Sequence, residues 1–171
     1  FSNCDSIEAV KIPKGVTKIG ESAFYHCDNL KAVEIPDSVN KIGHSAFNEC
    51  SNLKLEKLTT NGRMIQHYAF SGVTIEELEV SESLVTDGNS SFSGAKINRV
   101  SFEEGISVIP TMVFSNCDSI EEIGIPDSVT EIRDSAFARC NNLKIVEISN
   151  SVTNIGKDVF IGCKNLTLSV S

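Results

Sequence analysis

Phenylalanine returns at a nearly constant interval along this chain. The recurring residues are Phe1, Phe24, Phe47, Phe70, Phe92, Phe114, Phe137 and Phe160, and the intervals between them are 22 or 23 residues. A fixed period of roughly 20 to 29 residues is typical of a solenoid, in which similar supersecondary units stack on one another. We therefore expect about seven to eight rungs of 22–23 residues, and we number each rung from its phenylalanine.

A second pattern keeps the same period. In the first, second, sixth and seventh rungs the phenylalanine is followed by an L-x-x-V-x-I pattern of leucine-like residues, as in Leu30, Val33 and Ile35. This pattern resembles the strand-forming half of a leucine-rich repeat. The alternating, β-branched end of this pattern indicates a strand with one buried face. Proline then ends the strand, for example at Pro36. We expect a leucine-rich-repeat solenoid, a right-handed coil of mainly parallel β structure, with a short helical turn where Ala and Phe precede each Cys.

Residues 61–110 form irregular central rungs, because they lack the Ile-Pro pair that follows the strand in the first, second and sixth rungs, and because the fourth and fifth rungs have each lost one residue. The third rung has two possible registers, and we prefer the one that aligns Leu55 and Leu58 with Ile75 and Leu78. We expect the poorest stacking between these rungs.

One slot of the repeat holds glycine in four rungs and other residues elsewhere. Because proline fixes φ near −65° and occupies the slot in one rung, the slot does not require a positive φ. Its occupants are Gly20, Gly43, Gly88 and Gly156, against Gln66, Pro110 and Arg133.

The whole repeat is F-x-x-C-x-x-L-x-x-V-x-I-P-x-x-V-x-x-I-G-x-x-A-F, and residues 24–47 match it at every named position. It resembles the BspA-type leucine-rich repeat over nearly the whole chain. The resemblance implies a bacterial or protozoan protein, secreted or at the cell surface, that takes part in adhesion, and it implies no catalytic residue. We expect residues 1–171 to be a single repeat domain, and a piece of a longer chain because both ends fall inside a rung.

Composition excludes some functions. The formal net charge is −8, there is no basic run and no tryptophan, so we do not expect nucleic-acid binding, which needs an electropositive surface. No apolar run approaches the roughly 18 residues of a membrane helix, so we expect no membrane span in this segment.

Six cysteines share one slot of the repeat: Cys4, Cys27, Cys50, Cys117, Cys140 and Cys163. The two rungs between the triplets carry Val73 and Ala95 in that slot. A position filled by Cys, Val or Ala is a small buried apolar position, and free cysteine behaves as a small hydrophobe. We therefore predict a structural ladder of reduced thiols and neither disulfides nor a metal site.

His44 and His67 share a slot in adjacent rungs, with Glu21 one rung before and Asn89 one rung after. Two imidazoles and a carboxylate could ligate a transition metal, but such sites need three or four ligands. We favour a solvated edge and expect no metal, no other cofactor and no catalytic residue. We do not expect His26 and Cys27 to form a catalytic pair, because adjacent side chains point in different directions when the thiol of Cys27 points into the core.

The exposed side chains of the strands, on the face that a curved solenoid makes concave, form the surface that we call the strand face. Solenoids bind partners there. The predicted binding set breaks the regularity of neighbouring rungs and combines both charge signs; it is Lys57, Glu77, Glu79, Arg99 and Ser101. We expect a non-enzymatic, monomeric, extracellular or cell-surface module that binds a protein or glycan of a host or neighbouring cell. The alternative is an accessory solenoid that spaces or presents another domain, including an enzymatic one.

Overall fold

The fold was taken from a computed structural model, which describes residues 1–85 and 90–170. One strand of each rung belongs to a first, longer ladder. In chain order these strands are β1 (Ala9–Lys11), β3 (Ala32–Glu34), β5 (Lys54–Thr59), β7 (Thr74–Val80), β8 (Lys96–Phe102), β10 (Glu122–Ile125), β12 (Ile145–Ile148) and β14 (Thr167–Val170).

A second ladder of two-residue strands runs beside the first. Its members are β2 (Lys18–Ile19), β4 (Lys41–Ile42), β6 (Met64–Ile65), β9 (Val108–Ile109), β11 (Glu131–Ile132) and β13 (Asn154–Ile155). In the fourth rung a 3₁₀ helix, Glu82–Val85, takes the place between β6 and β9 and contacts both. Gly88 and Asn89, which the sequence assigned to the glycine slot and the histidine row, lie outside the described residues.

All strand pairs in the described part of the chain are parallel. The first ladder divides into three sheets, which are β1-β3, β5-β7-β8 and β10-β12-β14. In the central sheet Leu55 pairs with Ile75 and Leu58 with Leu78, so the register preferred from the sequence is confirmed. The parallel solenoid predicted from the repeat is confirmed as well.

The eight rung phenylalanines form one continuous stack through the core. Successive ring centroids lie 5.2–6.4 Å apart, and successive ring planes are inclined by 3–17°. The widest step, 6.4 Å, joins Phe92 to Phe114. The inner rings from Phe47 to Phe137 are completely buried. Because every rung contributes one ring, the stack ties each rung to both neighbours through dispersion and apolar burial.

The outer corners differ from the short helical turns expected from the sequence. Each corner is a run of turns, such as residues 21–26, in which two residues have a positive φ, here Ser22 (50°) and His26 (51°). In this conformation every second amide of the corner points along the stack toward the next rung. The Phe24 N–H donates to the Ala46 carbonyl (2.8 Å) and the His26 N–H to the Asn48 carbonyl (3.0 Å). Ladder-like hydrogen bonds between rungs thus replace the bonds of a helix.

The glycine slot allows close contact between rungs. A Cβ at Gly43 would lie 2.6 Å from the Glu21 amide nitrogen, and one at Gly156 would lie 2.6 Å from the Asp134 amide nitrogen. Neither glycine has a positive φ. The slot therefore imposes no left-handed conformation, which agrees with the variety of residues in it, and at Gly43 and Gly156 glycine is needed for space.

The third rung buries an arginine where its neighbour has a valine. Arg63 is 6% exposed, and its backbone amide bonds to the Thr60 carbonyl in the way that the Val39 amide bonds to Pro36. Its guanidinium donates to the carbonyls of Val39 (3.2 Å) and Thr59 (3.0 Å) and reaches Asp37 Oδ1 at 3.4 Å. Each nitrogen therefore has an acceptor, as a buried charge requires.

Candidate functional site

The central sheet presents two adjacent side chains to solvent where a regular strand would present one. In β7 the side chains of Ile75 and Leu78 are completely buried, whereas Glu76 and Glu77 between them are partly exposed. Strict alternation would bury one of the two carboxylates. The strand instead places both on the strand face, and the same spacing recurs in β5 and β8.

The structure brings the five predicted binding residues together. Lys57, Glu77 and Arg99 are Cα partners across β5, β7 and β8, and Glu79 is paired with Ser101 in the next row. The Lys57 ammonium lies 3.1 Å from the carboxylate of Glu79. This hydrogen bond, reinforced by the charges of Glu79 and Glu77, raises the pKa of Lys57.

Glu77 and Arg99 are neighbours but keep their charges free. Among the described residues neither has an ion pair within 4 Å. Arg99 is exposed and Glu77 is half-buried. A partner with complementary charges could therefore engage both groups without first breaking an ion pair, which makes them the best-placed contacts of the set.

Sequence reasoning missed a second row of the same surface. The Lys54 ammonium lies 2.8 Å from Glu76 Oε1, and Asn98 donates to Glu76 Oε2 at 2.7 Å. The hydrogen bonds from Lys54 and from Asn98 lower the pKa of Glu76, and the bond to Glu76 raises the pKa of Lys54. The signal was present in the sequence, since apolar residues three apart, as in Ile75 and Leu78, leave two consecutive residues facing outward.

Two shallow grooves border the central sheet where the first ladder is interrupted. The groove between β3 and β5 has a volume of about 640 Å³ and is lined by Ala32, Val33 and Leu55 together with charged side chains. The groove between β8 and β10 has a volume of about 530 Å³ and is polar, with Arg99 and Glu122 in its lining. The free guanidinium of Arg99 thus lies both on the sheet and in a groove.

The cysteine slot lies inside the solenoid. All six thiols are free; Cys27, Cys50, Cys117 and Cys140 are buried, and Cys4 and Cys163 are half-buried. Each thiol from the second rung onward donates to the carbonyl of the preceding rung's phenylalanine at 2.9–3.1 Å, as the Cys50 thiol does to Phe24. Burial raises the pKa of Cys50 and of Cys140 to about 12, so these thiols are poor nucleophiles.

The histidines lie at the corners and not in a catalytic arrangement. His44 and His67 are exposed, and their ring centroids are 6.1 Å apart. His26 makes an edge contact with Tyr25 and lies 3.8 Å from Asp28, whereas the thiol of Cys27 is turned inward to Phe1. Across the described residues no three His, Cys, Asp or Glu side chains group closely enough to hold a metal ion.

The parallel strand ladders, the stacked phenylalanines and the exposed strand face define a leucine-rich-repeat solenoid. The chain belongs to the BspA type leucine-rich repeat family, whose model matches residues 1–86 and 54–167 in six copies. No curated protein matches the chain.

Solved structures show the same fold. A leucine-rich repeat protein from Bacteroides ovatus is 29% identical with a TM-score of 0.72, covering 99% of this chain and 50% of that one. A leucine-rich cell surface protein from Faecalibacterium prausnitzii is 25% identical with a TM-score of 0.60, covering 98% of this chain and 61% of that one. A leucine-rich repeat protein from T. pallidum, 20% identical with a TM-score of 0.56, covers 94% of this chain and 78% of that one. The chain thus spans only part of each relative.

No helix in residues 1–85 or 90–170 has the length and apolar character needed to cross a bilayer.

Proposed function

We propose that this chain is a non-catalytic recognition module of a cell-surface or secreted protein, and that it binds a protein partner across the strand face. The site is the central sheet, with Lys57, Glu77, Glu79, Arg99 and Ser101 as contacts. Membership of a repeat family and the description of the F. prausnitzii relative as a cell surface protein support this assignment.

The proposal rests on two opposite charges at the centre of the sheet that form no ion pair among the described residues. Glu77 and Arg99 are adjacent in register and without ion pairs in the described residues, while Lys57 and Glu79 beside them are paired. Fixed charges of both signs select a partner by complementarity more than they add affinity. A protein surface supplies such a mixed pattern, whereas the five contacts include no aromatic ring that would stack on a sugar.

The test is a charge reversal with a matched control. The double variant Glu77→Lys/Glu79→Lys reverses one free and one paired carboxylate of the central sheet. The control Glu34→Lys/Glu147→Lys does the same outside it, because Glu34 is paired with Lys11 at 2.9 Å and Glu147 has no ion pair in the described residues. Both doubles change the net charge equally.

Binding is measured by biosensor against a panel of extracellular-matrix proteins, with the chain presented as a multimer. We expect at least one matrix protein to bind, and its affinity to fall about tenfold or more in the central double variant. The control should bind as the wild type does, and both variants should melt near the wild-type temperature, because surface ion pairs add little stability. Equal losses in the two doubles, or no binding by any matrix protein, would refute the assignment.

A further inference from the structure

Three successive corners of the solenoid carry every tyrosine and histidine of the chain. Tyr25, His26, His44, His67 and Tyr68 all fall within 44 residues of a 171-residue chain, in the corner segments 21–26, 44–49 and 67–72. Eight of the nine phenylalanines, by contrast, form the stack, and its inner rings are buried. The aromatic groups that carry a polar atom are therefore concentrated at one exposed place, away from the strand face.

Three of these rings are in contact. The ring centroid of His44 lies 6.1 Å from that of His67 and 6.2 Å from that of Tyr68. All three residues are exposed, and Tyr68 keeps 42% of its surface accessible. The hydroxyl of Ser45 is 2.9 Å from His44 Nδ1, which holds that ring in place. We call His44, His67 and Tyr68 the aromatic corner.

Tyr68 occupies a slot that favours a small residue. Its φ is +54°, and the same left-handed conformation recurs in this slot at Ser22, Ser45, Ser90, Met112, Ser135 and Asp158. A bulky residue with a positive φ is rare. An exposed tyrosine here adds nothing to the core, so packing does not account for its presence in this slot.

The surroundings of the aromatic corner identify the kind of ligand. Corner segments 21–26, 44–49 and 67–72 contain no lysine or arginine and carry the carboxylates of Glu21 and Glu49, so a polyanion would be repelled. The other exposed side chains there are polar, and Tyr68 is the one large exposed hydrophobic residue of these three segments. A single exposed ring does not supply the apolar core of a stable protein interface, which buries roughly 800 Å² of surface per partner.

We propose that the aromatic corner is a second binding site and that it takes a neutral polysaccharide. A sugar ring combines an apolar face, which stacks on an aromatic ring, with hydroxyls that bond to tyrosine hydroxyls and imidazole nitrogens. His44 and His67 lie in adjacent rungs with their ring centroids 6.1 Å apart, so a chain of sugars laid along the stack of rungs would meet both rings.

The test is native affinity electrophoresis in gels that contain mannan, dextran, galactan or a mixed β-glucan. We expect at least one of these polysaccharides to retard the wild type, and Tyr68→Ser to raise the dissociation constant about tenfold or more, since stacking is lost. Serine occupies the same slot in four other rungs, so this variant should fold. The matched control is Met112→Ser, which changes a residue of the same slot with similar exposure (43%) outside the aromatic corner and should be retarded like the wild type.

The outcomes separate this site from the strand face. The double variant Glu77→Lys/Glu79→Lys should retain polysaccharide binding, so the proposal for the aromatic corner can be tested independently of the proposal for the strand face. The proposal is overturned if none of the four neutral polysaccharides retards the chain, if heparin alone does, or if Tyr68→Ser and Met112→Ser behave alike. Protein binding that depends on Tyr68, without any polysaccharide binding, would also overturn it.

Discussion

The central rungs and the C-terminal regular rungs share a core but differ in almost everything outside it. Phe70 and Phe92 are as completely buried as Phe114 and Phe137. The strands of the central sheet have six or seven residues, whereas β10 and β12 have four. The central rungs also replace one short strand by a 3₁₀ helix and bury Arg63. A repeat can therefore vary its exposed surface freely as long as it keeps its ring in the stack.

The strongest test of a common core is to remove one ring from each region. Phe70→Ala and Phe137→Ala should each lower the free energy of unfolding by about 3–5 kcal/mol, because each leaves a cavity in a close-packed stack. Urea unfolding followed by circular dichroism gives both values. A loss for Phe70→Ala that is smaller by more than about 1 kcal/mol would show that the irregular rungs are loosely packed around it.

A smaller effect is expected from the glycine slot, where Gly43 is tightly enclosed by the preceding rung and Gly20 is not. Gly43→Ala should destabilise the fold by about 1–3 kcal/mol, since its new methyl group would collide with the Glu21 backbone. Gly20→Ala is the matched control, because a Cβ there meets nothing within 4 Å. Comparable melting temperatures for the two variants would mean that the rungs can move apart at no cost.

The cysteine slot gives an effect that appears only at alkaline pH. Because burial raises the pKa of Cys50 from its ordinary value of 9.0 to about 12, the thiol stays protonated in the folded chain while it ionises in the unfolded one. Stability from this group is complete below pH 9 and is lost as the pH rises toward 12. Cys50→Val, which copies Val73 of the central rungs, should therefore lose less stability than the wild type between about pH 8 and about pH 10.5. Parallel pH dependence in the two proteins would argue that Cys50 is solvated.

The finest comparison is amide exchange. The repeat pattern alone leads one to expect faster exchange in residues 61–110 than in residues 114–163. Residues 74–80 are paired on both sides, with β5 and with β8, so we now expect β7 to exchange as slowly as β12. Amide exchange is measured by mass spectrometry. Faster exchange in β7 than in β12 would show that the central rungs are less stable than the C-terminal ones, as the repeat pattern alone predicts.

Periodicity made the solenoid, the register of the third rung and the inward cysteine slot predictable. The corner conformation was not, because its left-handed slot holds Ser, Tyr, Met and Asp, and none of these marks a positive φ as glycine does. Burial of Arg63 was hidden for a related reason, since its acceptors are the carbonyls of Val39 and Thr59, which no side-chain pattern reveals. Lys54, Glu76 and Asn98 were missed because simple alternation was applied to strands with two adjacent outward residues.

Because phenylalanine and tyrosine lie in different parts of the molecule, their spectroscopic signals report on different events. Eight phenylalanines form one stack whose inner rings are buried, both tyrosines lie at the corners, and the chain has no tryptophan to mask them. Vibrational fine structure in the near-ultraviolet circular dichroism of phenylalanine will follow the integrity of the stack. Tyrosine emission, by contrast, will respond to whatever settles near Tyr68, so occupancy and unfolding can be followed in one unlabelled sample.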